Sequence, residues 1–386
     1  MCTSSGELAA IHDLQQTGIR RIGTPRAGFR YLKPDGRPPA RADLERIRDL
    51  RIPPAWTEVR VTPLPASKLQ AIGRDRAGRW QYRYHPDFAR RRASAKYRRL
   101  LRFAAALPRI RAAVARDMRR RELSRERVLA AVVRLLESCQ MRPGSETYAR
   151  ENGSFGLTTL RPRHVKVAGT LVVFDYRGKS GQRQIRELRD RRIARLVCEL
   201  LRVPGRDVFK FVEGGEVVDV RRRHVNAYIR AAAGAPFTAK DFRTWAGTLL
   251  CASALAEAAE RGGAERRRAR IAKEAMKAVA AKLGNTPAVV RASYVSPAVL
   301  EAFAKGRVIG CCLGARDVLG APRRGGLHDA EREVLALLRA SAAGKANGPD
   351  LRVVRGAARP VARPTRPAGA TAKPFRRAAR GPEREC

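Results

Sequence analysis

The chain has 386 residues, of which 44% are hydrophobic, and its 81 Lys and Arg against 36 Asp and Glu give a formal net charge of +45. This length suits two or three domains with cores of normal size, and the charge indicates a polyanionic partner, most simply a nucleic acid, although a basic membrane-surface protein or a ribosomal-type binder would share it. The chain has no run of about 18 apolar residues and no signal-peptide pattern at residues 1–11, so neither a membrane span nor secretion is predicted.

Residues 1–88 are predicted to form a small, mainly β domain. The signals are short β-branched or aromatic runs separated by turn residues such as Pro34-Asp35-Gly36. Strands are expected at residues 29–32, 59–61, 69–72 and 80–85, with one short helix over residues 42–50.

The last of these strands, Trp80–His85, has side chains suited to DNA contact. Alternation along a strand puts Tyr82 and Tyr84 on one face and Gln81 and Arg83 on the other. Glutamine and arginine can bind base edges or phosphates. A half-buried strand whose tyrosines pack in the core would show the same pattern.

Residues 89–310 are predicted to form a second, mainly helical domain with a small β-sheet. A heavily basic helical stretch opens it, and a β hairpin has Lys179 at its tip. The other helices are expected from apolar periodicity at residues 128–136, 190–201, 222–233 and 238–281, with a break at residues 262–263.

A turn between two helices lies near the end of this domain. The helix over residues 271–283 should end at Gly284, and Thr286-Pro287 should begin a short helix that carries Tyr294. Asn285 and Tyr294 could then converge on one phosphate. A loop followed by a core tyrosine would give the same pattern.

Residues 311–342 are predicted to be a helical extension, with an amphipathic helix over residues 329–341. Residues 343–386 are dominated by Pro, Gly, Ala and Arg and have almost no core-forming residues. They predict a disordered basic tail that would add salt-sensitive DNA affinity.

The 7 cysteines form no C-x-x-C pair, and no histidine spacing completes a zinc site. Reduced thiols are the simplest interpretation, which predicts a cytoplasmic protein without a bound metal.

Five motifs, in order along the chain, resemble those of the type IB DNA topoisomerases, in particular the small poxvirus-like enzymes of bacteria. They lie at Ile52–Trp56, Gly73–Tyr84, Glu151–Leu157, Lys240–Trp245 and Gly284–Pro287 followed by Tyr294. The resemblance covers roughly residues 15–305. It implies an α+β fold in which the helical domain has the catalytic core shared by type IB topoisomerases and tyrosine recombinases, and a C-shaped clamp around duplex DNA.

The resemblance also implies roles for single residues. Tyr294 would be the nucleophile that forms a 3′-phosphotyrosyl link, Arg142 and Arg243 would bind the phosphate, and Lys179 would be the general acid. The poxvirus enzymes carry His where this chain has Asn285, whose amide can only hydrogen-bond because it does not titrate near neutral pH. No cofactor, ATP or metal is implied.

The implied partner is double-stranded DNA, bound by a monomer in the cytoplasm at the nucleoid. The DNA-binding candidates of the N-terminal domain are Arg74, Gln81, Tyr82, Arg83 and Tyr84.

Two alternatives stay open. A tyrosine recombinase uses similar residues, but recombinases usually have His-x-x-Arg where this chain has Lys240-x-x-Arg243, and they lack a β domain like residues 1–88. A non-catalytic basic DNA-binding protein would explain the charge and the tail, but not five catalytic-type residues in order.

Overall fold

The computed structural model describes residues 5–261, 267–310, 326–343 and 351–353. The chain divides into two units, residues 1–97 and 98–386. In the described ranges, no helix is both long and apolar enough to cross a membrane.

The first unit is a five-stranded antiparallel sheet with two helices. Its strand order is β2-β1-β3-β4-β5. The elements are α1 (Ser5–Thr17), β1 (Ile19–Thr24), β2 (Gly28–Leu32), α2 (Arg41–Asp49), β3 (Thr57–Val61), β4 (Leu69–Arg74) and β5 (Trp80–Tyr84).

The two helices of this unit cover opposite faces of the sheet. Ile47 of α2 packs in a cluster with Ala71, whereas Ile11 and Leu14 of α1 pack with Ile72, and all five side chains are buried. Because neighbouring residues of a strand point to opposite faces, β4 contributes to both clusters.

Helix α1 and strand β1 were not predicted, whereas β2 to β5 and α2 were. Strand β1 buries only Ile19 of its six residues, so it lacks the apolar alternation that marks a strand. In the part of helix α1 whose burial is described, residues 9–17, Ile11 and Leu14 are the buried residues, and two apolar positions are too few to reveal a helix.

The second unit is mainly helical. Helix α3 runs from Pro86 to Asp117 and begins in the last residues of the first unit, so the predicted domain boundary at residue 88 falls inside a continuous helix. The other elements are α4 (Arg125–Cys139), α5 (Glu146–Asn152), β6 (Val165–Ala168), β7 (Leu171–Arg177), β8 (Arg183–Arg189), α6 (Arg191–Arg202), β9 (Lys210–Glu213), β10 (Glu216–Asp219), α7 (Arg222–Ala233), α8 (Ala239–Glu260), α9 (Arg268–Leu283), α10 (Pro287–Ser293), α11 (Pro297–Ala304), β11 (Arg307–Ile309), α12 (Asp329–Ala342) and β12 (Leu351–Val353).

This unit has a three-stranded antiparallel sheet in the order β6-β7-β8 and two separate strand pairs, β9 with β10 and β11 with β12. The predicted α+β fold, a small β domain followed by a mainly helical domain with a small sheet, is confirmed.

Helix α8 is the central helix of the second unit. Every residue from 242 to 253 is buried, so the helix is enclosed on all sides. Helices α4, α7, α9, α11 and α12 contact it. Side chains of α8 can therefore be held rigidly against several neighbours.

The C-terminal extension contains α12, as predicted, while residues 311–325 lie outside the described residues. Within the predicted basic tail, residues 351–353 form β12, which pairs with β11, where the sequence predicted disorder. The rest of that tail lies outside the described residues.

A buried charge cluster joins α12 to α3, α4 and α8. Arg111 donates to both carboxylate oxygens of Glu331 at 2.8 Å and to Glu137 at 2.8 Å. Trp245 Nε1 donates to Glu331 at 2.9 Å, and Glu331 is fully buried. A buried charge is costly unless an opposite charge lies beside it, so the Glu331 carboxylate offsets the cost of burying the Arg111 guanidinium.

Replacing Glu331 with alanine is expected to destabilise the second unit by about 3–5 kcal/mol, because it removes one partner of a buried ion pair. Urea unfolding followed by far-UV circular dichroism measures this loss. Glu301→Ala removes an exposed carboxylate of α11 and should change stability by less than about 0.5 kcal/mol. Equal losses in the two variants would contradict a structural role for the cluster.

Candidate active site

Arg142 lies in a tightly packed turn after α4. The helix is followed by Gln140, which has a left-handed backbone with φ of 49°. A Cβ atom on Gly156 would lie 2.6 Å from the Cα atom of Gly144, so the two glycines allow the chain segments to touch. The Leu157 amide donates to the Arg142 carbonyl at 2.9 Å. These contacts fix the backbone that presents the Arg142 side chain.

The guanidinium of Arg142 reaches the turn between α9 and α10. Its Nη2 donates to the Gly284 carbonyl at 2.8 Å and to Asn285 Oδ1 at 2.5 Å. Burial lowers the pKa of Arg142, although electrostatic interaction with Tyr294 and Tyr176 acts to raise it. The group stays cationic, because arginine does not lose its proton in proteins.

Arg243 lies near the start of α8, as predicted, and is only 3% exposed. Its Nη1 donates to the Gln140 carbonyl, and its Nη2 donates to the Leu283 carbonyl at 2.8 Å. Its buried Nε has no hydrogen-bond partner among the described residues. The side chain is thus held by two backbone segments, and Nε is among the N–H donors left for a ligand.

Tyr294 follows the last residue of α10, at the C-terminal end of that short helix. Its ring centroid lies 5.2 Å from Arg243 Cζ. Burial acts to raise the pKa of Tyr294, but the charge of Arg243, a hydrogen bond from its side chain and the charges of Arg142 and Lys240 outweigh burial, and the pKa is lowered from its ordinary value. The phenol therefore ionises more readily than a free tyrosine.

Asn285 lies in the predicted turn, where Gly284 has the left-handed φ of 60° expected after a helix. Its Oδ1 must face Arg142, since a guanidinium can only donate. The Nδ2 group donates to the Leu283 carbonyl at 3.4 Å. An amide has two N–H donors, so the side chain can give another hydrogen bond.

Lys179 lies in the turn between β7 and β8, at the predicted hairpin tip, and is exposed. Ser180 and Gly181 have positive φ values of 61° and 74°, which the tight turn requires. Lys179 lines the same small cavity as Arg142 and Arg243. The structure therefore places Lys179 beside the two arginines. Arg142 also contacts the α9–α10 turn, and Arg243 also contacts Tyr294.

The sequence analysis missed several residues that line this cavity, among them Tyr176, Gln184 and Arg186. Arg186 Nη2 donates to Gln184 Oε1 at 2.8 Å and to the Lys282 carbonyl at 3.0 Å, which ties the hairpin to the end of α9. Alternation along β8 could have placed Gln184 and Arg186 on one face, but nothing in the sequence indicates that this face meets α9.

Among the described cysteines, Cys139 and Cys251 are buried free thiols. Burial raises the pKa of Cys139 and of Cys251 to about 12, so both stay protonated. Among the described residues, no group of three or more His, Cys, Asp or Glu side chains could hold a metal ion.

Comparison with known proteins identifies the family of this chain. The family model "Eukaryotic DNA topoisomerase I, catalytic core" matches residues 85–305, and "Bacterial DNA topoisomerase IB, N-terminal domain" matches residues 28–75. A DNA topoisomerase 1B of Acanthamoeba polyphaga mimivirus is 35% identical over 268 residues, which are 68% of this chain and 80% of that protein. The chain belongs to the type IB DNA topoisomerases. The resemblance seen in the motifs is confirmed, and the protein is an isomerase whose family acts on DNA.

All five candidate active-site residues of this topoisomerase fall within the match to the catalytic core. Of the DNA-binding candidates, Arg74 falls within the match to the N-terminal domain, and the four in β5 lie between the two matches.

The predicted alternation of β5 is observed in the first unit. The rings of Tyr82 and Tyr84 stack with centroids 6.2 Å apart, and Tyr82 packs beside Trp80 against the α1 cluster. On the other face, Gln81 Nε2 donates to Asp75 Oδ2 at 2.9 Å.

The two arginine candidates of this unit are held by protein groups. Arg83 Nη2 donates to the Arg51 carbonyl at 2.9 Å. Arg74 Nε donates to Glu58 at 3.1 Å, and its guanidinium lies 4.4 Å from the Trp80 ring centroid. These side chains are partly buried, so each is preoriented and would have to exchange or share these bonds to contact DNA.

Proposed function

We propose that this type IB topoisomerase relaxes supercoiled duplex DNA by cutting one strand, letting it rotate and resealing it. Cleavage would form a covalent 3′-phosphotyrosyl intermediate at Tyr294 and would need neither ATP nor a metal ion. The observation that carries the proposal is the contact of the Tyr294 ring with the buried guanidinium of Arg243, 5.2 Å from the ring centroid.

In the cleavage step, the Tyr294 oxygen attacks the scissile phosphorus after losing its proton. A phosphorus–oxygen bond to Tyr294 forms as the bond to the 5′ oxygen breaks, and the 5′ oxygen takes a proton. One phosphodiester replaces another, so the bond energy is kept and resealing is the same step in reverse. This balance explains why ATP is not needed.

Two arginines would stabilise the charge that builds on the phosphate oxygens. Arg243 and Arg142 are both at least partly buried and pinned by backbone carbonyls, which orients their remaining N–H groups before DNA arrives. Donors that are already oriented in a site shielded from water stabilise a transition state more than mobile ones. Asn285 would add a neutral hydrogen bond.

Lys179 would protonate the 5′ oxygen as it leaves. Lys179→Ala is expected to slow single-turnover cleavage by about 10²–10⁴-fold, the usual contribution of a general acid. A DNA with sulfur at the 5′ bridging position should be cut by this variant at nearly the wild-type rate, because a thiolate leaves without a proton. Gel assays of the covalent adduct measure both rates.

Lys166→Ala is the matched control, since Lys166 is an exposed lysine on the neighbouring strand β6 of the same sheet. It should cut both DNAs at the wild-type rate. A Lys179→Ala variant that stays equally slow on the sulfur-containing DNA would remove Lys179 from the acid role.

We also propose that the enzyme acts as a monomer in the cytoplasm, at the nucleoid, with the five candidate DNA-binding residues of the first unit contacting the duplex. One chain contributes all five active-site candidates, which supports a monomer. Sedimentation with and without a short duplex would reveal any dimer.

The proposed function is tested by relaxation of a supercoiled plasmid in EDTA with no ATP. Relaxation is expected. Activity that returns only with Mg²⁺ would contradict the metal-free reaction, and tight plasmid binding without relaxation would favour a passive DNA-binding protein.

A further inference from the structure

The backbone around Tyr294 is attached to helix α8 through one buried hydroxyl. Thr248 is fully buried, and its Oγ1 lies 3.0 Å from the Thr244 carbonyl and 3.1 Å from the Tyr294 carbonyl. The same oxygen accepts from the Ser296 amide at 3.2 Å. The hydroxyl therefore contacts the chain on both sides of the Tyr294–Val295 segment.

The residue before Thr248 lets the two segments approach. A Cβ atom on Gly247 would lie 2.8 Å from the Tyr294 carbonyl oxygen and 2.9 Å from Tyr294 Cβ. Both distances are shorter than atoms tolerate without moving, so only glycine permits this contact between α8 and Tyr294.

The same helix also carries the arginine that the phenol meets. Arg243 and Gly247 are four residues apart, so they lie on one face of α8. Tyr294 itself follows α10, which has only seven residues and could not hold a side chain rigidly by its own stability. The position of the phenol relative to Arg243 thus depends on the attachment of Tyr294 to α8.

We propose that Gly247 and Thr248 are positioning residues that set the distance and angle between the Tyr294 phenol and Arg243. The inference rests on the proposed function, in which Tyr294 is the nucleophile. Neither residue would touch DNA or the phosphate, because both act through the Tyr294 backbone.

Thr248→Val removes the hydroxyl and keeps the branched shape. At saturating DNA it should slow covalent adduct formation by about 10–100-fold, because small displacements of a reacting group cost rates of this order. DNA affinity should stay within about 2-fold, since no phosphate contact of Arg142 or Arg243 is removed. Thr248→Ser keeps the hydroxyl and should restore most of the rate.

A second readout is the pH dependence of cleavage. The charge of Arg243 opposes the effect of burial and lowers the pKa of Tyr294. A phenol that moves away from Arg243 loses part of that effect, so the rate profile of Thr248→Val should shift to higher pH. A residue that only stabilised the fold would leave the profile in place.

Thr244→Val is the matched control. Thr244 is a buried threonine on the same helix whose hydroxyl donates to the Lys240 carbonyl at 3.2 Å, within α8. It should leave the adduct rate and the pH profile unchanged. If Thr248→Val does not fold, as judged by circular dichroism, Gly247→Ala tests the same contact and should show the same slow rate and alkaline shift.

Wild-type rate and pH profile in both Thr248→Val and Gly247→Ala would overturn the inference, and so would equal slowing in Thr244→Val. These outcomes differ from failure of the proposed function, in which the wild-type protein itself would form no adduct.

Discussion

Replacing Tyr294 with phenylalanine is expected to abolish adduct formation and plasmid relaxation, by about 10⁴-fold or more, because the attacking oxygen of a covalent mechanism is removed. The ring stays, so its contact with the Arg243 guanidinium at 5.2 Å and its packing against α8 stay as well. Binding of a short duplex should therefore change by less than about 2-fold. Denaturing gels of labelled DNA measure the adduct, and filter binding measures affinity.

Tyr31→Phe is the control for this experiment. Tyr31 packs against the buried cluster of the first unit that includes Ile47, and its replacement also removes one phenol oxygen. Its adduct rate should equal that of the wild-type protein. An SDS-stable adduct that persists in Tyr294→Phe would show that another residue is the nucleophile.

Replacing Arg243 with alanine is expected to have the second large effect. The rate of adduct formation at saturating DNA should fall by about 10²–10⁴-fold. Alanine removes the donor that we propose binds the phosphate, and also the charge that contributes most to lowering the pKa of Tyr294. The pH profile of the remaining activity should therefore shift to higher pH than that of the wild-type protein, because a more alkaline solution is needed to ionise the phenol.

Arg243→Lys should restore little of this rate. The native guanidinium uses Nη1 for the Gln140 carbonyl and Nη2 for the Leu283 carbonyl while Nε stays available. A lysine ammonium is a single point charge on a flexible stem and cannot make this forked set of bonds.

Arg339→Ala, which removes one exposed arginine from α12, is the charge-matched control and should keep the wild-type rate. Near-wild-type cleavage by Arg243→Ala, or full rescue by lysine, would contradict the role of the guanidinium.

The turn that presents Tyr294 could be predicted from the sequence because its signals are local. A glycine after the α9 periodicity and Thr286-Pro287 before α10 specify a helix end and a helix start, and the structure has both. Arg243 and Lys179 were likewise placed correctly at a helix start and a hairpin tip, since those elements have strong periodic or turn patterns.

The contacts that orient these residues could not be predicted, because they join segments far apart in the chain. The bond from Arg243 to the Gln140 carbonyl spans 103 residues, and that from Arg111 to Glu331 spans 220. Glu331 illustrates the problem: in the sequence it is an ordinary acid in the first turn of an amphipathic helix. Only the packing of α12 against α8 shows that it is buried beside Trp245.

Whether this enzyme joins itself to DNA through Tyr294 is best decided by identifying the joined atoms. The adduct would be trapped with SDS on a duplex labelled at one end, digested with protease and nuclease, and analysed by mass spectrometry. We expect a nucleotide attached through its 3′ phosphate to Tyr294, with a free 5′ hydroxyl on the other fragment. A 5′ phosphate link, or a link to any other residue, would contradict it.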